Sequence, residues 1–270
     1  MAKRKRRRSF SFFRFAILFL IAFGLMFALS GGVDIFPKNA WQKVGDMMPK
    51  ENAVNEIGKD STLLNRVKRI IFIKNAVNAR VNNENFVKIG EMPRDLIHAI
   101  VAVEDSRFYT HHGFDIEAIG RASLVNLQYG RIEEGASTIT QQVVKNLFLS
   151  SEQTFGRKIE EIILALDMEM VYDKEEILEL YLNTIYFGSN FYGIKDAAKG
   201  YFGKLPKDLT IEESAMLAGL PNAPSLYSPY VDMELAKKRQ RIVLDAMEKN
   251  GYIINSTAEK AKVAPLYFVK

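Results

Sequence analysis

The sequence predicts a mainly α protein, and three observations carry that expectation. From Phe86 onward apolar residues recur at helical spacing in several separate runs. Helix-start signals stand ahead of two of them, at Pro93 and at Thr210. Strand signals are weak throughout. Taken in order, Pro93 opens a run in which Leu96, Ile97, Ile100, Val101 and Glu104 share a face. Gly135 to Gln142, GASTITQQ, reads as a helix start with small residues and hydroxyls before the first turn. Phe155 to Tyr172 follows, with Ile159, Ile162, Ile163, Leu166 and Met170 on one stripe, and then Lys174 to Asn183. Thr210 and Glu213 form a capping box, and the helix they open ends at Gly219-Leu-Pro221. A last helix is expected over Met233 to Lys249. The stretch from 34 to 85 is the least informative, with one short apolar run from Arg69 to Lys74. There is no internal repeat.

Composition narrows the function classes. In 270 residues, 48% are apolar, enough for a substantial core, and main-chain disorder is excluded as the dominant state. With no cysteine there is no disulfide framework, thiol nucleophile, Fe–S cluster or Cys-type zinc site. The net charge of +5 belongs to the tail. Residues 1–14 carry seven bases and no acid, leaving 30 bases against 32 acids in the rest. The body therefore has no basic surplus for nucleic acid, and no nucleic-acid partner is expected.

The nineteen uncharged residues from Phe15 to Val33 would run about 28 Å as a helix, enough to cross a hydrocarbon core. The bases ahead of them place that end in the cytoplasm and send the body across. The run is read as a single transmembrane signal anchor in the cytoplasmic membrane. A cleaved signal peptide is the rival, because Ala28 and Ser30 are small residues at a plausible cleavage spacing. Either way the body works on the extracytoplasmic, periplasmic side.

Several residues are candidates for chemistry, each with a plainer reading beside it. Glu104 continues a buried stripe, and burial raises a carboxyl toward the range of a general acid or base. A structural pair with Arg107 is the plainer alternative. The GASTITQQ start, followed by Lys145, leaves backbone N–H groups free for an anion, or is an ordinary Ser/Thr cap. It is not a Walker loop. Arg157 and Lys158 lie four and three residues before Glu161 on one helix side, beside Leu164 and Met168. Two cations against a carboxylate suit a diphosphate, or make a surface salt bridge. His98, His111 and His112 have no metal-ligand spacing, and no Ser-x-x-Lys or Gly-x-Ser-x-Gly occurs.

In combination and in this order, the segments from Glu104 to Gly113 (EDSRFYTHHG), GASTITQQ, Arg157 to Glu161 (RKIEE) and Lys174 to Asn183 resemble the family 51 peptidoglycan glycosyltransferases. These occur as the transglycosylase module of class A penicillin-binding proteins and as monofunctional enzymes. The likeness runs from about Phe86 to Lys249 and includes Tyr201 to Lys204 (YFGK) and Leu217 to Pro221 (LAGLP). It implies a lysozyme-like fold with head and jaw lobes, the jaw against the membrane, and division into a tail (1–14), anchor (15–33), unassigned segment (34–85), glycosyltransferase domain (86–250) and C-terminal extension (251–270). It implies polymerisation of lipid II into β-1,4-linked glycan strands with loss of undecaprenyl diphosphate, and sensitivity to moenomycin, the family's donor-site inhibitor. Glu104 would be the general base. Glu161 would assist the leaving diphosphate, directly or through a divalent cation such as Mg or Mn, which is the one cofactor the resemblance suggests. Lys145, Arg157 and Lys158 would neutralise that diphosphate. Ser137, Thr138, Gln141 and Gln142 would shape the cleft, and Asp105 and His111 complete the substrate-binding set. Whether Asp105 holds a metal or only orients its motif stays open at this point. Expected partners are lipid II, the growing strand, the membrane and other cell-wall synthesis proteins.

The residues support these roles in their own right. An inverting transfer needs a base on the acceptor and help for the leaving group on the opposite face, and diphosphate needs charge stabilisation more than it needs an acid. The sequence departs from the family pattern at Gln153, where an Arg is common, and at Arg239-Gln240-Arg241, where the second Arg of a paired motif is replaced. A stand-alone enzyme is the simplest reading, although Pro265 to Lys270 resembles the start of a linker to a transpeptidase domain. Two rivals remain: a lytic transglycosylase or lysozyme-like hydrolase, which would have no diphosphate to hold, and an inactive membrane-anchored cell-wall scaffold.

Overall fold

The structure is a computed structural model, and it describes residues 72–81, 84–129, 135–149 and 155–269. The Phe15–Val33 run lies outside the described residues, among which no helix is long and apolar enough to cross a membrane. Lys74 to Lys270 form one compact unit. Its elements, as far as described, are helices: α1 (Ile73–Asn78), α2 (Arg94–Glu104), α3 (Ile116–Tyr129), α4 (Ile139–Phe148), α5 (Phe155–Val171), α6 (Lys174–Thr184), α7 (Ile194–Phe202), α8 (Ile211–Gly219), α9 (Pro224–Tyr227), α10 (Met233–Lys249) and α11 (Asn255–Val263). Two short 3-10 turns, Ile89–Glu91 and Pro206–Asp208, join them. Among the described residues there is no strand, only isolated bridges at His112–Phe114 and Tyr186–Tyr192.

The helix boundaries follow local chemistry. Pro93 stands at the N-cap of α2 with φ −67°, its ring already set for the first turn. Capping boxes start α4 (Thr138 with Gln141), α6 (Asp173 with Glu176) and α8 (Thr210 with Glu213). α7 is framed by Gly193 and Gly203, both at positive φ.

The helices form two groups. α2, α8 and α10 pack on one another, with α9 against α10 and α11 against both α10 and α8. Their shared core includes Leu96, Ile100, Leu217, Val243, Leu244 and Met247, all 0% exposed. In the second group α4 packs on both α5 and α6. It buries Val143, Val144, Leu164, Met168, Ile177 and Tyr181. α7 touches α6 and α8 and so ties the groups together.

One face differs from expectation. On α5 the fully buried side is Glu161, Leu164, Ala165, Asp167 and Met168, whereas Ile159 of the predicted stripe is exposed and Ile162, Ile163, Leu166 and Met170 are half-buried. This helix is apolar over most of its circumference, so periodicity alone does not choose the inner face. A carboxylate is tolerated inside because it is paired. The extension also folds back on the body over its described residues, 251–269: the Val269 N–H donates to the Tyr201 carbonyl at 2.9 Å, and the Phe268 ring lies 5.1 Å from that of Phe202.

Candidate active site

α2 ends by delivering Glu104 and Asp105 from the first group of helices to the second. Asp105 leaves helical geometry at φ −159° and ψ 75°, and its carboxylate turns to α4, where it accepts the Ile139 N–H at 3.0 Å. His111 Nε2 lies 3.0 and 2.9 Å from the two Asp105 oxygens, and both residues are buried. A carboxylate at the start of a helix is favoured by the free N–H groups and the helix dipole. Asp105 and His111 therefore clamp the loop 105–113 to α4. Those hydrogen bonds suit the orienting role of the two that the sequence offered for Asp105.

The same loop is held at two more points. The Thr138 hydroxyl donates to the Gly113 carbonyl at 2.7 Å while accepting the Gln141 N–H, and the Gln141 side chain returns to the Thr138 N–H at 3.0 Å. Thr138 and Gln141 are both buried, so their side chains serve the cap and the loop. Gly113 sits at φ +82°, and a Cβ there would come within 3.0 Å of the Ala165 backbone on α5. Phe108, fully buried, lies under the Lys174 ammonium at 4.4 Å, and Lys174 with Thr140 donates to Glu169 Oε1.

Glu104 itself accepts from Gln142 Nε2 at 2.7 Å through Oε2. Its Oε1 is sealed from solvent and has no hydrogen-bond partner. Burial pushes this carboxyl above its ordinary 4.5; the Gln142 bond and the charges of Arg239 and Lys145 oppose the shift, and Asp105 adds to it. A raised carboxyl with a free oxygen suits proton transfer. Arg107, the plainer partner considered from sequence, is engaged elsewhere: it pairs with Asp115 at 3.1 Å and with Glu117.

The second carboxylate, Glu161, is 2% exposed in its side chain and pairs with Arg157 at 3.3 Å and with Lys158. Lys158, 42% exposed, also reaches the exposed Ser137 hydroxyl at 3.3 Å. α4 thus connects both acids: Ser137, just before it, meets the Glu161 cluster, and Gln142, in its second turn, holds Glu104. Ser137 and Gln142 stand a little over one turn apart, about 6–8 Å along the helix. Lys145, exposed on α4, lies within electrostatic reach of Glu104.

One residue near Glu104 gave no sequence signal for that place. Arg239 of α10 exerts the larger cationic influence on Glu104. It is positioned by donating Nε to the Gly219 carbonyl at 3.3 Å, with its guanidinium 5.7 Å from the Tyr227 ring. Gly219 makes this approach feasible, since a Cβ would sit 2.9 Å from Arg239 Cγ.

The donor set does not suit a metal ion. Glu161 faces two cations, Asp105 is taken up by a backbone N–H and His111, and among the described residues no group of three or more His, Asp or Glu is gathered. His98 stacks on Tyr252 at 4.4 Å.

The chain is similar in sequence to known proteins over most of its length. Residues 72–248 match the transglycosylase family, so the match begins ahead of Phe86, where the helical pattern first becomes legible. Penicillin-binding protein 1A of Aquifex aeolicus is 48% identical over 181 residues, covering 67% of this chain and 25% of that protein. Penicillin-binding protein 1A of Vibrio cholerae is 47% identical over 180 residues (67% and 22%), and penicillin-binding protein 1F of Bacillus subtilis 46% over 180 residues (67% and 25%). Among solved structures, penicillin-binding protein 1A of Haemophilus influenzae aligns over 68% of this chain and 18% of its own, at 26% identity and a TM-score of 0.42. The chain spans about a quarter of the length of these curated relatives. With the match covering most of its length and running through both carboxylates and their cations, the chain belongs to the transglycosylase family.

Proposed function

We propose that this protein is a peptidoglycan glycosyltransferase that polymerises lipid II into β-1,4-linked glycan strands. The observation that carries the reading is the pairing of a half-buried Glu104, its carboxyl raised, with a separate cationic cluster at Glu161, both attached to α4. Glu104 takes the proton of the acceptor's GlcNAc 4-hydroxyl as that oxygen attacks the anomeric carbon of the donor MurNAc. Configuration inverts, and undecaprenyl diphosphate departs toward Lys145, Arg157 and Lys158. Cations aimed at the departing diphosphate stabilise charge as it develops. Glu161 is too enclosed to meet substrate before Lys158 moves, so its part is to hold Arg157 and Lys158 in place. The raised Glu104 keeps a base strong enough for a hydroxyl proton.

The substrate's lipid tail places the reaction at a bilayer surface. Phe15 to Val33 is the anchor that would hold the domain there, on the extracytoplasmic side, with the basic tail in the cytoplasm. A lytic hydrolase has no diphosphate to stabilise, which leaves the cationic cluster without a purpose. An inactive scaffold has no need of a raised carboxyl with a sealed, unpartnered oxygen.

The test is polymerisation of labelled lipid II by the detergent-solubilised protein, with moenomycin as control. Moenomycin-sensitive glycan strands support the synthase. Absence of product from folded protein, across detergents and with and without divalent metal, refutes it.

A further inference from the structure

Besides Glu104 Oε1, a second polar group is sealed in without a partner on a helix that packs against α4. The Tyr181 hydroxyl, like Glu104 Oε1, has no hydrogen bond, and the whole side chain is 0% exposed. Tyr181 lies on α6, which packs on α4, the helix whose Gln142 grips the other Glu104 oxygen. An unpartnered buried hydroxyl is costly, and phenylalanine would fill the same volume without that cost. Burial pushes the Tyr181 hydroxyl well above its ordinary 10, and the charges of Glu104 and then Asp105 push it the same way. The group therefore keeps its proton at any working pH and can only donate to a carboxylate, and it lies within reach of Glu104's charge.

We infer that Tyr181 is a positioning residue whose hydroxyl donates to Glu104 Oε1, as Gln142 donates to Oε2, closing on the carboxylate when it becomes charged. Hydrogen bonds of this kind are often open before substrate binds and tighten in the reacting complex. The groups that bear on Glu104 are Gln142 and Lys145 from α4, Arg239 from α10, Asp105 beside it and Tyr181 from α6. Arg239 and Lys145 act through charge; Tyr181 would fix direction. The contact stands independently of the reaction, and its catalytic consequence rests on the synthase reading.

The experiment uses the full chain in detergent, with 13C-carboxyl glutamate and the Glu104→Gln spectrum to assign the Glu104 signal. In Tyr181→Phe the charged carboxylate loses a donor, so Glu104 titrates about one pH unit higher. The acid limb of the pH–rate profile moves up equally, kcat falls about tenfold on that limb with little change at the alkaline plateau, and KM is unchanged. Tyr201→Phe, which removes a hydroxyl bonded to the Phe187 carbonyl, leaves the titration of Glu104 where it was. Tyrosine labelled at Cζ gives the same information without substituting residue 181: its resonance follows Glu104's midpoint and stops doing so in Glu104→Gln. An unchanged Glu104 titration in Tyr181→Phe overturns the inference. A shifted titration in a protein that makes no glycan upholds the contact and refutes the synthase instead.

Discussion

Replacing Asp105 by alanine should cost more stability than any other single change at the site, because its carboxylate connects three parts of the fold. It accepts the Ile139 N–H at 3.0 Å and faces His111 Nε2 at 2.9 Å, all buried. Losing a hydrogen bond to a charged acceptor costs about 1.5–3 kcal/mol, and leaving the buried imidazole nitrogen unpaired adds about 1–3 kcal/mol. A central value near 4 kcal/mol is a large share of the roughly 5–15 kcal/mol that holds a domain together. For a body of this size it lowers the melting temperature by about 8–16 °C. Asp105→Asn keeps one acceptor oxygen and should lose about half as much. Thermal unfolding followed by far-UV circular dichroism in detergent measures both. At temperatures where the variant is folded, the loop 105–113 comes away from α4, Glu104 is misplaced, and polymerisation falls about 100-fold. If Asp105→Ala melts within about 2 °C of the parent protein, the clamp on α4 does not exist and the argument fails.

Glu104→Gln should abolish polymerisation, a loss of roughly 100- to 10,000-fold, without unfolding the protein. Glu104's folded pKa is raised, so whatever stability its neutral form contributes is present below the unfolded value and lost as pH rises through the folded one. At pH 8 the Gln variant should therefore melt no lower than the parent, and a lower melting point would contradict the burial of that charge. Lys158→Ala should lose at least tenfold more lipid II turnover than Glu160→Ala, and equal losses would mean that the cationic pocket is misplaced. Gly113→Ala combines a φ of +82° with a Cβ only 3.0 Å from the Ala165 backbone, so it should cost about 2–3 kcal/mol, read as a lower melting temperature. Because burial raises the Glu104 carboxyl, the acid limb of kcat should lie above the pH at which an exposed glutamate titrates, and an inflection at or below 4.5 would remove Glu104 from the role of base.

Periodicity found the helices that bury one continuous stripe. α2, α6, α8 and α10 begin and end within a residue or two of where Pro93, Lys174, the Thr210 capping box and Met233 place them. α3, α7 and α11 were not legible in the same way. α3 exposes Ile116, Ile119, Leu124 and Leu127, and α11 buries little beyond Ala258 and Ala261, so neither shows a simple inner face. On α5 the inner face was misread because a paired Glu161, an acid, occupies it.

At the site, residue types and local spacing made candidates of Glu104, the Arg157–Lys158–Glu161 group and the Ser137–Gln142 start, each within one or two helical turns and each with a plainer structural reading beside it, and it was the family resemblance that favoured the functional reading. What joins them is not local. Arg239 reaches Glu104 across 135 positions in sequence, Tyr181 across 77, and both arrive only because α10 packs on α2 and α6 on α4. The sequence by itself determined a helical body, two carboxylates and the cations beside one of them. Only the tertiary structure decided which carboxylate keeps a free oxygen, that Asp105 and His111 clamp a loop, and that Thr138 and Gln141 serve a cap. Burial and partner choice depend on what other helices bring to the same point, and no window along one chain contains that information.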